Sequence, residues 1–550
     1  MVPTALFSAT HEVTNQPPPI APYDASADAA LLEGLRREGA GWAEADLRRL
    51  GRHAGSPEAQ RWAEEANAVE PVLRTHDRYG NRVDEVDFHP SWHHLLRVAV
   101  AEGNAGSAWA DDRPGAHVAR YAGLLVWGHT EAGHACPVAM TYAVVPALRA
   151  RPDLAAVYEP LLTSRVYDPG LRVPTTKRGL LAGMGMTEKQ GGSDVRTNTT
   201  TATPTGEDGV HALRGHKWFT SAPMCDLFLV LAQAPGGLSC FLVPRVLPDG
   251  TRNPFRVQRL KDKLGNRSNA SSEPEFDGTL GWLVGPEGRG VRTIVEMVNC
   301  TRLDCVAGSA ALMRKALVEA GHHAAHRVAF GARLLDQPLM RNVLADLAVE
   351  SEAATALTLR LAGAVDRAAR GDEGERAFRR IATAVGKYWV AKRAPAFAAE
   401  ALECLGGNGY VEDSGMPRLY REAPLNSIWE GSGNVNALDV LRVLGREPSA
   451  AEALMAELAA ARGGDRRLDA AVARIGAELA GAAGAAGAAT QARRLVERVA
   501  LALQGSLLVR HAPAAVADAF CATRFGGGGY AFGTLPAGAD FAGILARALP

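Results

Sequence analysis

"LFLVLAQAPGGLSCFLVP", residues 227 to 244, holds two apolar, β-prone runs joined by the turn signal "APGG", in a chain that otherwise reads mainly as helix. Around it, from about 181 to 286, the texture is glycine, serine, threonine and proline between short runs of the same kind, which predicts a small β domain. Residues 1–180 open with the Pro-rich lead "NQPPPIAP" and continue at helical spacing, as in "ADAALLEGLRREG". Residues 287–445 carry the long helical patterns "TALTLRLAGAVDRAARG" and "IATAVGKYWVAKRAPAFAAEALECLGG", the second ended by Gly406 and Gly407, and predict a helical bundle. After the break "GREPSAAEAL", residues 446–550 read as Ala-rich, Arg-dotted helices. They are interrupted at 479–490 by "LAGAAGAAGAAT", read as a helix weakened by its glycines. The expected fold class is mainly α with a central β domain.

A chain of 550 residues exceeds one ordinary core, so three or four units are expected. Lysine plus arginine equals aspartate plus glutamate at 60 each, so no global basic excess advertises nucleic-acid binding, and any DNA role must rest on a local patch. Seven cysteines without a CxxC pattern point to a reduced, cytoplasmic protein. The first thirty residues lack a signal-peptide order, and the best apolar stretch, 121–149, is broken by His129, Glu131 and His134. Neither secretion nor membrane spanning is expected.

Several motifs exclude chemistries. "GGGGYA" at 526–531 leaves no room for a βαβ unit after it, so a Rossmann dinucleotide site is rejected. His322 with His326, and His89 with His93, stand one helical turn apart but have no carboxylate or cysteine to complete a metal set. No GxSxG serine elbow is present. Two stretches invite chemistry. In "GMGMTEKQGGSDVRTNT" (183–199), turn N–H groups with the hydroxyls of Thr187 and Ser193 suit an anion or a ring edge, or the stretch is a polar hinge. In "LNSIWEGSGNV" (425–435), Glu430 between Trp429 and Gly431 is either a general base of raised pKa or a residue beside a helix start, where Ser432 and Asn434 offer N-caps before Val435, Leu438 and Leu441.

Taken in order, "MGMTEKQGGSDV", "HKWFTSA" (216–222), "GGLSCFLVP", "RLKDKLGNRSNAS", "RVAFG" (327–331), "CLGGNGY" (404–410) and "RLYREAPLNSIWEGSGN", with "GAGWAEADL" near the start, resemble the flavin-dependent acyl-CoA dehydrogenase family. Within it the resemblance is to the AidB-like branch of DNA alkylation-response flavoproteins, over essentially the whole chain. It implies a helical N-terminal domain, a β-barrel-like middle, a helical bundle and an extra helical C-terminal domain, a homotetramer, and FAD.

By the same resemblance, Met186 and Thr187 meet the flavin pyrimidine edge, and Ser193 lies near ribityl, pyrophosphate or acyl-CoA. Trp218 and Thr220 form the flavin wall. Arg327 and Phe330, with Gln337 as a companion one position off the family spacing, reach the adenosine diphosphate half of FAD across a subunit interface. Gly406, Gly407 and Gly409 let the backbone approach that half. Ser432 and Asn434 contact flavin after the base. Glu430 matches the catalytic glutamate, which removes the proton alpha to a thioester while hydride leaves the beta carbon for the flavin. The family's alternative base position, before the bundle arginine Arg302, is Thr301 here. Trp429 replaces the usual tyrosine and, with Arg302, is placed in the substrate pocket; Glu403 replaces a glutamine near the cofactor phosphates.

Two functions follow as expectations. The first is an FAD-dependent, DNA-associated protein protecting against alkylation, with weak acyl-CoA dehydrogenase activity. From 446 onward eleven arginines and no lysine face nine acidic residues, and double-stranded DNA would need Arg442, Arg493, Arg494, Arg498, Arg510 and Arg524 on one side. The equally open alternative is that these arginines are solvated faces. The second function is a dehydrogenase proper, acting on a short or branched acyl-CoA. A flavin-dependent oxidase or monooxygenase is a third chemistry the same fold supports. The segment "RFGGGGYAFGTLPAGADF" receives no assignment from its sequence.

Overall fold

The computed structural model of the protein describes residues 10–482 and 487–549. At its centre, strand Leu227–Ala234 pairs antiparallel with Gly237–Pro244, in register from Leu227 opposite Pro244 to Ala234 opposite Gly237. The connection is Pro235 and Gly236, and Gly237 takes φ 112°, a left-handed value that a Cβ would oppose. Residues 227 to 232 are all buried, because the strand is covered on both faces.

The 14-residue strand Ser271–Val284 pairs in turn with Phe255–Leu260, Thr220–Ser221, Val210–His216 and Gly237–Pro244. Its register breaks between Asp277 and Thr279 and between Ser272 and Pro274. Such irregularities bend a strand, and here they go with the curling of the eight-stranded sheet into a barrel-like middle.

On the N-terminal side Asp28 caps helix Ala29–Arg37, its carboxylate accepting from the N–H groups of Ala30 and Leu31. The interrupted apolar stretch becomes helices Ala116–Trp127 and Ala135–Leu148. His129, Glu131 and His134 are buried in the turn between them, where Glu131 accepts from Gly133 N (2.7 Å), His134 N (3.0 Å) and Asn67 Nδ2 (2.8 Å). The helical reading of this half missed one hairpin, Val72–His76 with Arg82–Asp87. Its turn is closed by Asp77, which accepts from Tyr79 N and Asn81 N, and by Gly80 at φ 87°.

The bundle consists of Gly290–His326, Pro338–Ala369 and Glu373–Glu403, with Gly433–Arg446 packed against the third. The C-terminal helices lie directly on it. Arg524 bonds Asp346 (2.7 Å) and Glu350 (2.9 Å), Arg360 joins Glu375 (2.8 Å) to Glu457 (2.7 Å), and Arg547 joins Glu352 (3.0 Å) to Glu33 (2.6 Å). The unassigned segment after Arg524 is a strap across Pro338–Ala369. Gly533 N donates to Asp346 Oδ2 (3.0 Å), Leu535 exchanges two hydrogen bonds with Asn342, and Phe532 packs on Phe397.

The weakened helix expected at 479–490 falls partly outside the described residues. Helix Arg466–Ala482 precedes that gap, and Gly487, at φ 93°, opens Ala488–His511. Among the described residues no helix is long and apolar enough to cross a membrane, and all seven cysteines are free and buried.

Candidate functional site

Glu430 sits in a tight turn between Leu425–Ser427 and helix Gly433–Arg446, with its own backbone at φ 58° and Gly431 at 95°. A left-handed conformation costs a non-glycine residue about 1–3 kcal/mol and persists only where its surroundings impose it. Here side chains of the bundle and of the turn hold three consecutive carbonyls. Lys387 Nζ, buried on the third bundle helix, donates to Trp429 O (2.8 Å) and Gly431 O (2.5 Å). Arg302 Nε donates to Glu430 O (3.1 Å), and Asn436 Nδ2 to Gly431 O (2.6 Å).

The carboxylate itself accepts from Thr301 Oγ1 (2.8 Å), on a residue that is half-buried as a whole. Burial raises its pKa; the Thr301 hydrogen bond and the charges of Lys387 and Arg302 pull it back, while Asp304 adds to the rise. Thr301, the other candidate position, therefore holds the Glu430 carboxylate.

Two expectations at this turn meet its geometry. Arg302 Nε is on the Glu430 carbonyl and Nη1 on Asp439 (2.7 Å), so two of its three guanidinium nitrogens are spent on fixing the turn. Ser432 occupies the N-cap position, but its side chain makes no capping hydrogen bond, and Asn434 is already inside the helix. Trp429 is tethered through its indole N–H to Asn426 Oδ1 (3.0 Å).

The loop at 186–199 is moored by a buried ion pair, Lys217 Nζ to Glu188 Oε1 at 2.7 Å, with both side chains at 0% exposure. Glu188 also accepts from Thr199 N (2.7 Å) and Thr200 N (3.1 Å). Burial opposes its ionisation, but Lys217 and these hydrogen bonds hold its pKa at about 2; burial brings Lys217 down to about 8. Removing one partner of such a pair costs about 3–5 kcal/mol. Lys217→Met is therefore expected to lower the urea unfolding midpoint by the equivalent of several kcal/mol, and an unchanged midpoint would show the pair to be dispensable.

The mooring places Thr187 and Trp218 side by side, Trp218 N donating to Thr187 O (2.8 Å), while Met186 O accepts from Asn198 Nδ2 (2.9 Å). Lys261 Nζ stands 3.4 Å from the Trp218 ring centroid. Ser193 is exposed on the loop. Thr220 is buried and its hydroxyl has no partner among the described residues, an arrangement that suits a ligand atom. Burial raises the pKa of the Cys136 thiol, and the Glu430 charge adds to the rise.

A second cluster lies away from Glu430. Arg327 and Phe330 follow the end of helix Gly290–His326, about 38 Å along the helix from Thr301 at 1.5 Å per residue. Phe330 is 99% exposed at φ 51°, on the tip of the hairpin Val328–Ala329 with Ala332–Arg333. Arg327 bonds Asn15 O (2.5 Å), and Gln337 Nε2 donates to Ala329 O (3.1 Å), tying that residue to the hairpin. Gly406, at φ 59°, and Gly407 have open space where a Cβ would stand, whereas a Cβ at Gly409 would meet Leu402 O at 2.1 Å. Glu403 is exposed and turned outward. The unpartnered Thr220 hydroxyl and the open glycine backbone both fit a flavin dinucleotide.

Four of the six arginines proposed for DNA are paired with carboxylates. Arg524 is held by Asp346 and Glu350, and Arg510 by Glu457, so neither is free for a phosphate. Arg498 pairs with Glu478 and Arg442 with Asp439 (3.1 Å). Arg493 donates to Tyr388 OH (3.2 Å), and Arg494 is exposed. The histidines are structural: His89 caps Pro90–Ala101, His93 bonds Tyr167, and His322 bonds Pro18 O. Among the described residues no group of His, Cys, Asp or Glu could hold a metal ion.

Lys387 was missed by sequence reasoning, although a lone lysine in the apolar run "IATAVGKYWVA" was its available signal.

Comparison with known proteins bears on these clusters. Residues 15–169 match the family described as the adaptive response protein AidB N-terminal domain. Residues 183–279 match the acyl-CoA dehydrogenase middle domain, and 288–445 the acyl-CoA dehydrogenase C-terminal domain. The chain is 47% identical to "Putative acyl-CoA dehydrogenase AidB" of Escherichia coli (strain K12), over 93% of this chain and 94% of that protein. It is 32% identical to acyl-CoA dehydrogenase family member 11 of Caenorhabditis elegans, over 72% of this chain and 66% of the relative. The crystal structure of Caenorhabditis elegans ACDH-11 in complex with C11-CoA superposes with a TM-score of 0.84 at 28% identity, covering 94% of this chain and 93% of that one.

Proposed function

Because this chain belongs to the acyl-CoA dehydrogenase family of FAD-dependent oxidoreductases, in the branch that carries the AidB N-terminal domain, we propose that it oxidises an acyl thioester at the α–β bond with Glu430 as base. The observation that carries this is the clamped turn: a carboxylate whose pKa burial raises, held by Thr301 while Lys387 and Arg302 fix its backbone. FAD, when bound, supplies the hydride acceptor. The chain's own work is to aim the carboxylate at the α carbon and to take the proton there. Met186, Thr187, Trp218 and Thr220 line the flavin, followed by Ser432 and Asn434; Trp429 beside the base shapes the acyl pocket toward a short or branched acyl-CoA.

The test is anaerobic titration of the purified flavoprotein with short and branched acyl-CoAs, read at the visible flavin band. Bleaching by one thioester is the expected result; a band unmoved by the whole panel removes the dehydrogenase reading. The base works deprotonated, so kcat/KM should rise with pH through the raised Glu430 pKa, placing the acid limb above the ordinary carboxylate range. The linked stability change has the opposite sense. A carboxyl with a raised folded pKa binds its proton more tightly in the native state, so its contribution falls as pH rises through that value.

The finer reading from the branch is a cytoplasmic homotetramer, organised as units 1–180, 181–286, 287–445 and 446–550, that associates with double-stranded DNA and protects against alkylation. Assembly is supported by the fully exposed Phe330 and its distance from the base, which suit a cofactor shared between subunits. The DNA role is supported by Arg494, which is exposed and forms no ion pair among the described residues. Duplex affinity should then fall steeply with salt, and absent binding at low salt removes the DNA role.

A further inference from the structure

A cavity of about 90 Å³ opens in the N-terminal helical half, and none of its lining residues belongs to the Glu430 turn or to the flavin wall. A single water needs about 10–15 Å³, so the space exceeds one hydration site. Leu35 of helix Ala29–Arg37, with Leu47 and Leu50 of helix Glu44–Ala54, gives it an apolar side. Ala119 and Gly123, one turn apart on helix Ala116–Trp127, keep their shared face small and leave room between the helices.

The buried polar group of the lining is Arg120, whose side chain is 1% exposed. Nη1 pairs with Asp304, Nε donates to Asn104 O (2.9 Å), and the guanidinium lies 3.8 Å from the Tyr142 ring centroid, so its orientation is fixed. Nη2 has no partner among the described residues. A buried charged donor without a partner is costly, and a ligand acceptor that reaches it relieves that cost. Arg165, exposed after helix Pro152–Leu162, lines the same cavity and forms no ion pair among the described residues. Its Nη2 stands 3.0 Å from where a Cβ on Gly103 would be, and Gly103 adjoins the Asn104 that Arg120 holds, so the two guanidiniums converge on neighbouring residues.

The carboxylates of the lining are already engaged. Asp46 and Glu102 both pair with Arg49, the second at 2.8 Å, and Asp111 pairs with Arg113 (2.7 Å). Arg113 in turn covers the Trp42 ring at 3.7 Å. What remains unspent is cationic donor from two arginines beside an apolar wall, the usual composition of a small-molecule site.

We propose that this cavity binds a small carboxylate with a short alkyl chain, its oxygens on Arg120 Nη2 and the Arg165 guanidinium and its chain against Leu35, Leu47 and Leu50. Arginine suits a carboxylate because its fixed N–H directions match the two oxygens. The inference does not depend on the dehydrogenase reading, since no residue of the cavity takes part in that reaction.

The test is calorimetric titration of the purified full-length protein with straight-chain carboxylates from propionate to octanoate, and with the primary alcohol of each length. One chain length should bind best, and its alcohol should bind about tenfold or more weakly. Ala119→Leu fills the cavity without touching a charge and should weaken the best carboxylate by about tenfold or more, with an unfolding midpoint near wild type showing that the fold is kept. Arg165→Gln should weaken it as well, with Arg165→Lys recovering part of the loss. A bromine-labelled carboxylate of the best length, soaked into wild-type crystals, should give an anomalous peak beside Leu47 and Leu50, which locates the site without any variant.

Equal affinity for carboxylate and alcohol would show an apolar hole with no anion site and overturn the inference. So would the absence of binding with only ordered water at Arg120, a bromine peak confined to the Glu430 side, or an affinity that Ala119→Leu leaves unchanged. A flavin band unmoved by every acyl-CoA removes the dehydrogenase reading and leaves this site standing, so the two fail separately.

Discussion

Glu430→Gln should keep its flavin and lose thioester oxidation by about 10²- to 10⁴-fold, the span that one positioned base contributes to proton transfer. The amide is nearly isosteric, and its nitrogen or oxygen can still meet the Thr301 hydroxyl that now lies 2.8 Å from the carboxylate. The clamp on residues 429 to 431 is made to carbonyl oxygens, which the exchange does not touch. Folding and cofactor loading therefore survive, and the loss reports the proton transfer alone. The measurement is single-turnover flavin bleaching under anaerobic conditions with the thioester that reduces wild type fastest. Turnover equal to wild type would move the base away from Glu430, and with Thr301 unable to replace it the reaction itself would need rethinking.

Lys387→Met should damage the same step by a different route. Lys387 is 1% exposed, and its ammonium donates to Trp429 O and Gly431 O, on either side of Glu430. Methionine fills much of the same volume but leaves Trp429 O without this donor, at a cost of about 1–3 kcal/mol, while Gly431 O keeps Asn436. Glu430 is then freer to leave its left-handed backbone conformation, so kcat should fall by about tenfold or more and the unfolding midpoint should drop. The pH profile separates this from simple loosening of the fold. Lys387 is among the charges that oppose the rise of the Glu430 pKa, so its removal should push the acid limb to higher pH. A variant with wild-type rate and an unshifted limb would show that the clamp does not position the base.

Much of the architecture was legible because it rests on local pattern. The hairpin 227–244 announced itself by two apolar runs and a Pro-Gly-Gly turn, and the bundle helices by apolar spacing sustained over about thirty residues. The hairpin at 72–87 escaped because its strands, "VLRTH" and "RVDEVD", are short and mostly polar, and they lie between helices. The site was legible one motif at a time. The order of "MGMTEKQGGSDV", "HKWFTSA" and "SIWEGSGN" identified the flavin family, but the same arginine-rich composition that suggested a DNA face concealed how many of those guanidiniums are spent on internal carboxylates. Arg524 on Asp346 and Arg510 on Glu457 are pairs between residues far apart in the chain, and composition carries no trace of a partner.

By itself the sequence determined the fold class, the flavin family and the identity of the candidate base, since each is written in spacing or in contiguous motifs. Only the tertiary structure decided what holds that base. Thr301 meets the Glu430 carboxylate across 129 residues, Arg302 its carbonyl across 128, and Lys387 the flanking Trp429 carbonyl across 42. Contacts of that span have no period and no fixed offset, so they exist only once the bundle helices have packed and set their side chains toward one turn.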